Sequence, residues 1–165
     1  MKRTITTLAL ALPLALAACG GGSGDPAEHL QQGSQALGSG DAGSAVDHFG
    51  KALAGLPTDD PRVEQATLGQ VEAKIELDAE AAKTQFLAYA EERGDQLAAV
   101  EYVKIGSKLS AKGALAEATA VLGAGLVRHP GDAKLDEALK ATQKKAEEAG
   151  DEGALDALKG LGYTG

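Results

Sequence analysis

The residue best suited to chemistry in this chain is Cys19, its single cysteine. It ends the segment Leu16-Ala17-Ala18-Cys19, which closes an apolar run over residues 5–18 that Lys2 and Arg3 precede. A basic start, a short apolar stretch and small residues before a cleavage point are typical of an export signal. The run is shorter than the roughly 20 residues that span a bilayer. The pattern therefore predicts an exported chain with one nucleophilic thiol and no intramolecular disulfide.

The segment Leu16-Ala17-Ala18-Cys19 resembles the lipobox of bacterial lipoproteins. In that family the thiol takes a diacylglycerol thioether, the leader is cut before the cysteine, and the new amine is acylated, commonly with palmitate. The resemblance implies a signal peptide over residues 1–18, lipidation of Cys19, and a flexible Gly-rich tether over residues 19–24. Two or more acyl chains would hold the protein firmly on a membrane. A plain secretory leader with an incidental cysteine is the alternative.

The residue after the cysteine bears on location. Gly20 stands where an aspartate often retains members of the lipoprotein family in the inner membrane. The resemblance therefore implies a lipid-anchored protein that faces the periplasm, with the outer membrane favoured if the host has one.

The remaining chemistry-bearing residues form no catalytic pattern in the sequence. His29, His48 and His129 are far apart along the chain and are interpreted as helix-surface or helix-end residues. There is no G-x-S-x-G nucleophile elbow, and the glycines of residues 20–24 have neither a preceding strand nor a G-K-[ST] ending. A net charge of −8 disfavours nucleic acid as a partner. We expect no enzymatic activity, no metal and no cofactor.

The elements that position these residues are predicted to be helices throughout. Asp25-Pro26 and Asp60-Pro61 are typical helix starts, and glycine-rich breaks separate the segments. The pattern predicts helices over residues 26–37, 42–55, 61–77, 79–93, 95–111, 115–129, 133–149 and 152–161. Two Phe, three Tyr and no Trp can hardly fill a β-sandwich core. The chain is therefore predicted to be all-α, with residues 161–165 as a frayed end and docking of that tail as the alternative.

Small residues recur at long, regular intervals. Gly33, Gly40, Ala45 and Pro57 reappear 73 residues later as Gly106, Gly113, Ala118 and Pro130, and Gly69, Ala82 and Phe86 lie about midway. A pair of helices that repeats at half this interval indicates stacked helical hairpins.

The spacing inside each unit resembles that of the tetratricopeptide (TPR) family. The first unit keeps Gly33, Ala45, Phe49 and Pro57, whereas the middle unit lacks the turn glycine and the closing proline. The resemblance implies an α-solenoid with three TPR-like repeats over residues 25–132, followed by a degenerate fourth repeat or cap and a C-terminal tail over residues 133–165. An irregular helical bundle is the alternative.

A TPR array binds partners on a concave face formed by the first helix of each hairpin. When the matched glycines are placed on that arrangement, the candidate partner-binding residues are Leu30, Ser34, Leu37, Ala66, Gln70, Ala73, Lys74, Val103, Ser107 and Ser110. Basic clamp residues are largely missing among them, so an extended peptide or an amphipathic helix fits better than an acidic C-terminus. We expect a protein or peptide partner and a role as scaffold or assembly factor in the cell envelope. A structural lipoprotein that associates with itself is the alternative, and the oligomeric state stays open.

Overall fold

The structure, a computed structural model, describes residues 24–163. Within this range the chain forms eight α-helices and no strand: α1 Pro26–Ser39, α2 Ala42–Gly55, α3 Arg62–Leu77, α4 Ala79–Arg93, α5 Ala99–Lys112, α6 Leu115–Arg128, α7 Ala133–Ala149 and α8 Glu152–Gly160. The prediction of an all-α chain is confirmed for this range. The leader, Cys19 and most of the tether lie outside the described residues.

Aspartate side chains begin five of these helices. Asp25, Asp41, Asp78, Asp132 and Asp151 each accept a hydrogen bond from a backbone N–H in the first turn of α1, α2, α4, α7 and α8, respectively. These bonds satisfy donors that have no partner inside the helix, so the helix starts are fixed locally. The helix starts predicted at residues 26 and 133 are confirmed.

The start of α5 differs from its predicted position. A helix over residues 95–111 was expected, but Gly94–Gln96 forms a 3₁₀ turn and α5 begins at Ala99. Gly94 has a φ of 54°, which breaks the helical path after α4. Leu97 then adopts an extended conformation and is only 1% exposed. Burial of Leu97 anchors this link, and the helix resumes only beyond it.

The helices pack in a regular order. Neighbouring helices contact each other throughout, except that α4 and α5 have little direct contact across the link at residues 94–98. In addition, α1 contacts α3, α3 contacts α5, and α5 contacts α7, so the odd-numbered helices lie side by side. Among the even-numbered helices, α4 contacts α6 and α6 contacts α8. The surface formed by α1, α3, α5 and α7 is called the odd-helix face below.

The buried core divides at α3. On one side, Ala66 and Ala73 join Leu30 and Phe49 in a cluster that holds the first hairpin. On its other side, α3 contributes to a larger cluster that extends to α8. Near the centre of the larger cluster, the rings of Phe86 and Tyr102 meet edge to face at a centroid distance of 5.3 Å. Because α3 is buried on two sides, it couples the two parts of the core.

The C-terminal tail docks on the protein as far as residue 163, so the expectation of a frayed end is wrong for these residues. Leu161 fills the space beside Gly123 on α6, where an ideal Cβ would lie 2.6 Å from Leu161 Cδ1. The Tyr163 hydroxyl donates to Asp136 Oδ1 on α7 over 2.6 Å. An apolar contact and a charge-assisted hydrogen bond together hold the tail across α6 and α7.

Candidate interaction face

Two grooves lie between the odd-numbered helices. The α3–α5 groove has a volume of about 370 Å³ and is lined by Leu37, Gly40, Glu72, Ile75, Glu76, Lys108, Ala111 and Lys112. The α5–α7 groove has a volume of about 390 Å³ and is lined by Val103, Ser107, Lys134, Glu137, Ala138 and Ala141. Both grooves combine small or apolar side chains with charged ones.

Glu72 is the central charge of the α3–α5 groove. It is 9% exposed, and its carboxylate accepts hydrogen bonds from Lys104 Nζ at 2.6 Å and Lys108 Nζ at 2.7 Å. Burial alone would raise the pKa of the Glu72 carboxyl, but the hydrogen bonds from the two lysines lower the pKa below its usual value. The same contact raises the pKa of Lys104. The groove therefore holds an ionised glutamate that ties α5 to α3.

A third lysine extends this row along α5. Lys112 Nζ lies 2.5 Å from Glu76 Oε2 one turn further along α3. Lys104, Lys108 and Lys112 follow one another at intervals of four residues and are each a little under half exposed. Because residues four apart share one side of a helix, the three ammonium groups form a line along the α3 side of α5.

Three of the predicted partner-binding residues line the grooves. Leu37 lies in the α3–α5 groove, whereas Val103 and Ser107 lie in the α5–α7 groove. Ser110 is buried below the second groove, where its hydroxyl accepts a hydrogen bond from Thr142 Oγ1 at 3.2 Å. Its carbonyl also accepts from Lys145 Nζ at 3.3 Å. Ser110 thus joins α5 to α7 from below the surface.

The structure places the other candidates elsewhere. Leu30 is buried in the first-hairpin core with Ala66 and Ala73, and the exposed Ser34 donates to the carbonyl of Leu30 at 2.9 Å.

Gln70 bridges α2 and α4, on the opposite side of α3 from Glu72. Its Nε2 donates to the carbonyl of Val46 at 3.1 Å, and its Oε1 accepts from Gln85 Nε2 at 2.7 Å. Lys74 follows one turn later on α3 and is half-buried. The structure therefore does not bring Gln70 to the grooves that hold Leu37, Val103 and Ser107.

The orientation of α3 explains this placement. An ideal Cβ on Gly33 or Gly106 would meet the second helix of its own hairpin, at 2.9 Å from Phe49 Cδ1 or 2.5 Å from Leu122 Cγ. The equivalent atom on Gly69 would instead meet Phe49 of the preceding hairpin, at 2.5 Å from its Cζ. The Gly69 side of α3 therefore faces α2 of the preceding hairpin. Glu72 and Glu76 lie on another side of α3 and line the α3–α5 groove. Sequence reasoning missed both, although their spacing matches that of the lysines on α5.

Sequence reasoning also missed the pairing of two histidines. His29 Nδ1 on α1 lies 3.3 Å from His48 Nδ1 on α2, and both side chains are half-buried. The third histidine, His129, contacts the carbonyl of Leu97 through Nε2 at 2.9 Å. In the described part of the chain, no three His, Cys, Asp or Glu side chains come together as a metal cluster.

No family model matches the chain, and no curated protein and no solved structure is significantly similar to it. Among residues 24–163, no helix has the length and apolar character needed to cross a membrane.

Proposed function

We propose that this protein is a lipid-anchored component of the bacterial cell envelope that holds a protein or peptide partner on its odd-helix face. It would act as a scaffold or assembly factor without catalysis of its own. The observation that carries this proposal is the pair of grooves between α3, α5 and α7. They offer small and apolar side chains beside charged ones to a segment laid along them.

A TPR-like solenoid is the finer description of the fold that we propose. Its hairpins are α1–α2, α3–α4 and α5–α6, and α7–α8 caps the array. Two observations support it: each odd-numbered helix packs against the next, and the glycines of the outer hairpins receive Phe49 and Leu122 at their crossings. Two features depart from a regular repeat: Gly69 meets Phe49 of the preceding hairpin, and an extended link precedes α5.

The lipid anchor rests on the lipobox-like segment ending at Cys19. If Cys19 carries lipid, only residues 20–25 separate it from the start of α1 at Pro26. Six residues reach at most about 20 Å, so the folded part would stay close to the bilayer surface. Partners attached to, or passing along, the same membrane would then be favoured.

Labelling tests the anchor directly. Cells that express the full-length protein should incorporate labelled palmitate into it, and the protein should fractionate with membranes. Cys19→Ser should lose both the label and the membrane association, whereas Ser23→Ala in the same segment should keep both. Membrane association that persists in Cys19→Ser, or absence of label in the unmodified protein, would contradict the anchor.

Site-specific photocrosslinking in living cells tests the interaction face. A photoreactive residue at Ser107, in the α5–α7 groove, should give a discrete adduct with one partner. The same residue at the exposed Asp47 on α2 serves as the control and should not. Ser107→Arg should weaken binding of the purified partner at least tenfold without changing Tm. Equal adducts from both positions would overturn the proposal, and an adduct of two copies of this chain would support self-association instead.

A further inference from the structure

The two histidines of the first hairpin meet through the same ring atom. His29 on α1 and His48 on α2 are separated by 19 positions, yet their Nδ1 atoms lie 3.3 Å apart. The ring centroids are 5.5 Å apart and the rings are tilted by 35°. The nitrogen edges therefore face each other, and the rings are not stacked.

This separation matches the spacing of two imidazole ligands on one metal ion. Zinc binds histidine nitrogen at about 2.0–2.1 Å in tetrahedral geometry, which sets two ligand nitrogens about 3.3 Å apart. Without metal, the same separation lets one ring N–H donate to the other ring nitrogen, which keeps the two Nδ1 atoms together. A small rotation of both rings would turn their lone pairs towards a shared ion while the α1 and α2 backbones stay in place.

The His29 ring also lies against the chain just before α1. The His29 ring lies over Gly24, where an ideal Cβ would stand 2.8 Å from His29 Cε1. Asp25 and Asp41 lie nearby in sequence, but their carboxylates cap α1 and α2 by accepting from Ala27 N and Ser44 N, each at 3.0 Å. The hairpin thus supplies two nitrogen ligands, and water would complete the coordination.

We propose that His29 and His48 form a two-ligand site for a divalent transition-metal ion of the class that prefers imidazole, with Zn²⁺ as the representative ion. Hard ions such as Mg²⁺, which prefer oxygen ligands, would not bind there. Because the ligands come from two different helices, the bound ion would fasten α1 to α2. The site would stabilise the end of the protein nearest the proposed lipid anchor, and its existence does not depend on that anchor or on the odd-helix face.

Calorimetric titration with Zn²⁺ tests the site in the full-length chain, purified in detergent without a histidine tag. We expect one ion per chain with micromolar affinity, and a rise in Tm of several degrees in excess Zn²⁺. His29→Gln and His48→Gln should each weaken binding at least tenfold and remove the shift in Tm. His129→Gln removes the one histidine outside the pair and should change neither Zn²⁺ binding nor the shift in Tm. Mg²⁺ should give no calorimetric signal.

Gly24→Ala provides a second variant, since it keeps both ligands but crowds the His29 ring. It should weaken Zn²⁺ binding while Tm in metal-free buffer stays close to that of the unmodified protein. The proposal fails if the unmodified chain does not bind Zn²⁺. It also fails if binding survives His48→Gln, or if His129→Gln weakens binding as much as the variants of the pair do.

Discussion

The ring of Phe49 occupies the space where a side chain on Gly69 would lie, with its Cζ 2.5 Å from the position of an ideal Cβ. The same ring also covers Gly33, at 2.9 Å from the corresponding position. One aromatic side chain on α2 therefore fills the space beside two glycines, one on α1 and one on α3. These contacts set the distance between the first hairpin and the rest of the protein.

Gly69→Ala should destabilise the protein for this reason. An added methyl group would force Phe49 out of its position, which costs about 1–3 kcal/mol, and only part of this is offset by the better helix propensity of alanine. Gly38→Ala is the matched control, because Gly38 lies in α1 with open space around its Cβ position. That change should raise Tm slightly. Thermal unfolding of both variants checks the prediction, and an equal rise in Tm for both would contradict it.

The same contact shows what the sequence could and could not specify. The glycine spacing predicted paired helices, and the bounds of α2, α4 and α7 agree with the prediction to the residue. The spacing could not reveal that Gly69 meets Phe49 of the preceding hairpin while Gly106 meets Leu122 of its own. Successive residues of a helix point about 100° apart, so the side of α3 that meets its neighbour decides which residues reach a groove. With Gly69 against Phe49, Glu72 lies in the α3–α5 groove and Gln70 does not.

Long-range pairs were beyond sequence reasoning for a related reason. Glu72 and Lys104 belong to different hairpins, and His29 and His48 to different helices, so no local spacing connects them. The start of α5 was predicted at residue 95, four residues before Ala99, because no local signal marks the extended link. Burial of Leu97 in that link is a tertiary effect that local rules do not include. Local sequence rules therefore predicted where most helices lie along the chain. Which side of each helix faces its neighbours depends on packing between hairpins, and these rules do not include it.

Glu72→Gln should destabilise the protein by about 1–2 kcal/mol at neutral pH, because two lysines lose the charge that they share. The folded-state pKa of Glu72 lies below its usual 4.5, so the stability from its ion pairs is present above that value and is lost as the pH falls through the folded pKa. The difference between the variant and the unmodified protein should therefore shrink in acid. Urea unfolding at neutral and acidic pH measures it.

Glu76→Gln serves as the control for Glu72→Gln. Glu76 also pairs with a lysine but is 54% exposed, so its loss should cost less than about 1 kcal/mol. If Glu76→Gln proved as costly as Glu72→Gln, burial would not be the source of the effect.

Asp132→Ala should loosen α7, because the Asp132 carboxylate accepts from the backbone N–H groups of Lys134 and Leu135 at 2.9 and 3.0 Å. Loss of such a cap typically costs about 1 kcal/mol. Amide hydrogen exchange should accelerate in the first turn of α7 and remain unchanged in α2, whose own cap is Asp41. Asp156→Ala removes an exposed carboxylate of α8 that pairs only with Lys159 in the described structure, and it should alter neither exchange nor Tm.

Tyr163→Phe tests whether the docked tail contributes to stability. The hydroxyl donates to Asp136, and burial together with this hydrogen bond raises the pKa of Tyr163 to about 12. A raised pKa means that stability from the tyrosine is fully present below its usual value of 10 and is lost as the pH rises towards 12. Tyr163→Phe should therefore lower Tm by about 2–4 °C at neutral pH, and the difference should shrink across that alkaline range.

Lys140→Gln provides the contrast to Tyr163→Phe. Lys140 also contacts Asp136, at 2.6 Å, but it is 66% exposed and lies on the same helix, so its loss should hardly change Tm. It also leaves the Tyr163 hydroxyl free to donate to Asp136. If both variants left Tm unchanged at neutral pH, the hydrogen bond from Tyr163 to Asp136 would contribute nothing to the stability of the fold. A loss in Tyr163→Phe alone would show that the hydrogen bond to Asp136 fastens the tail to α7.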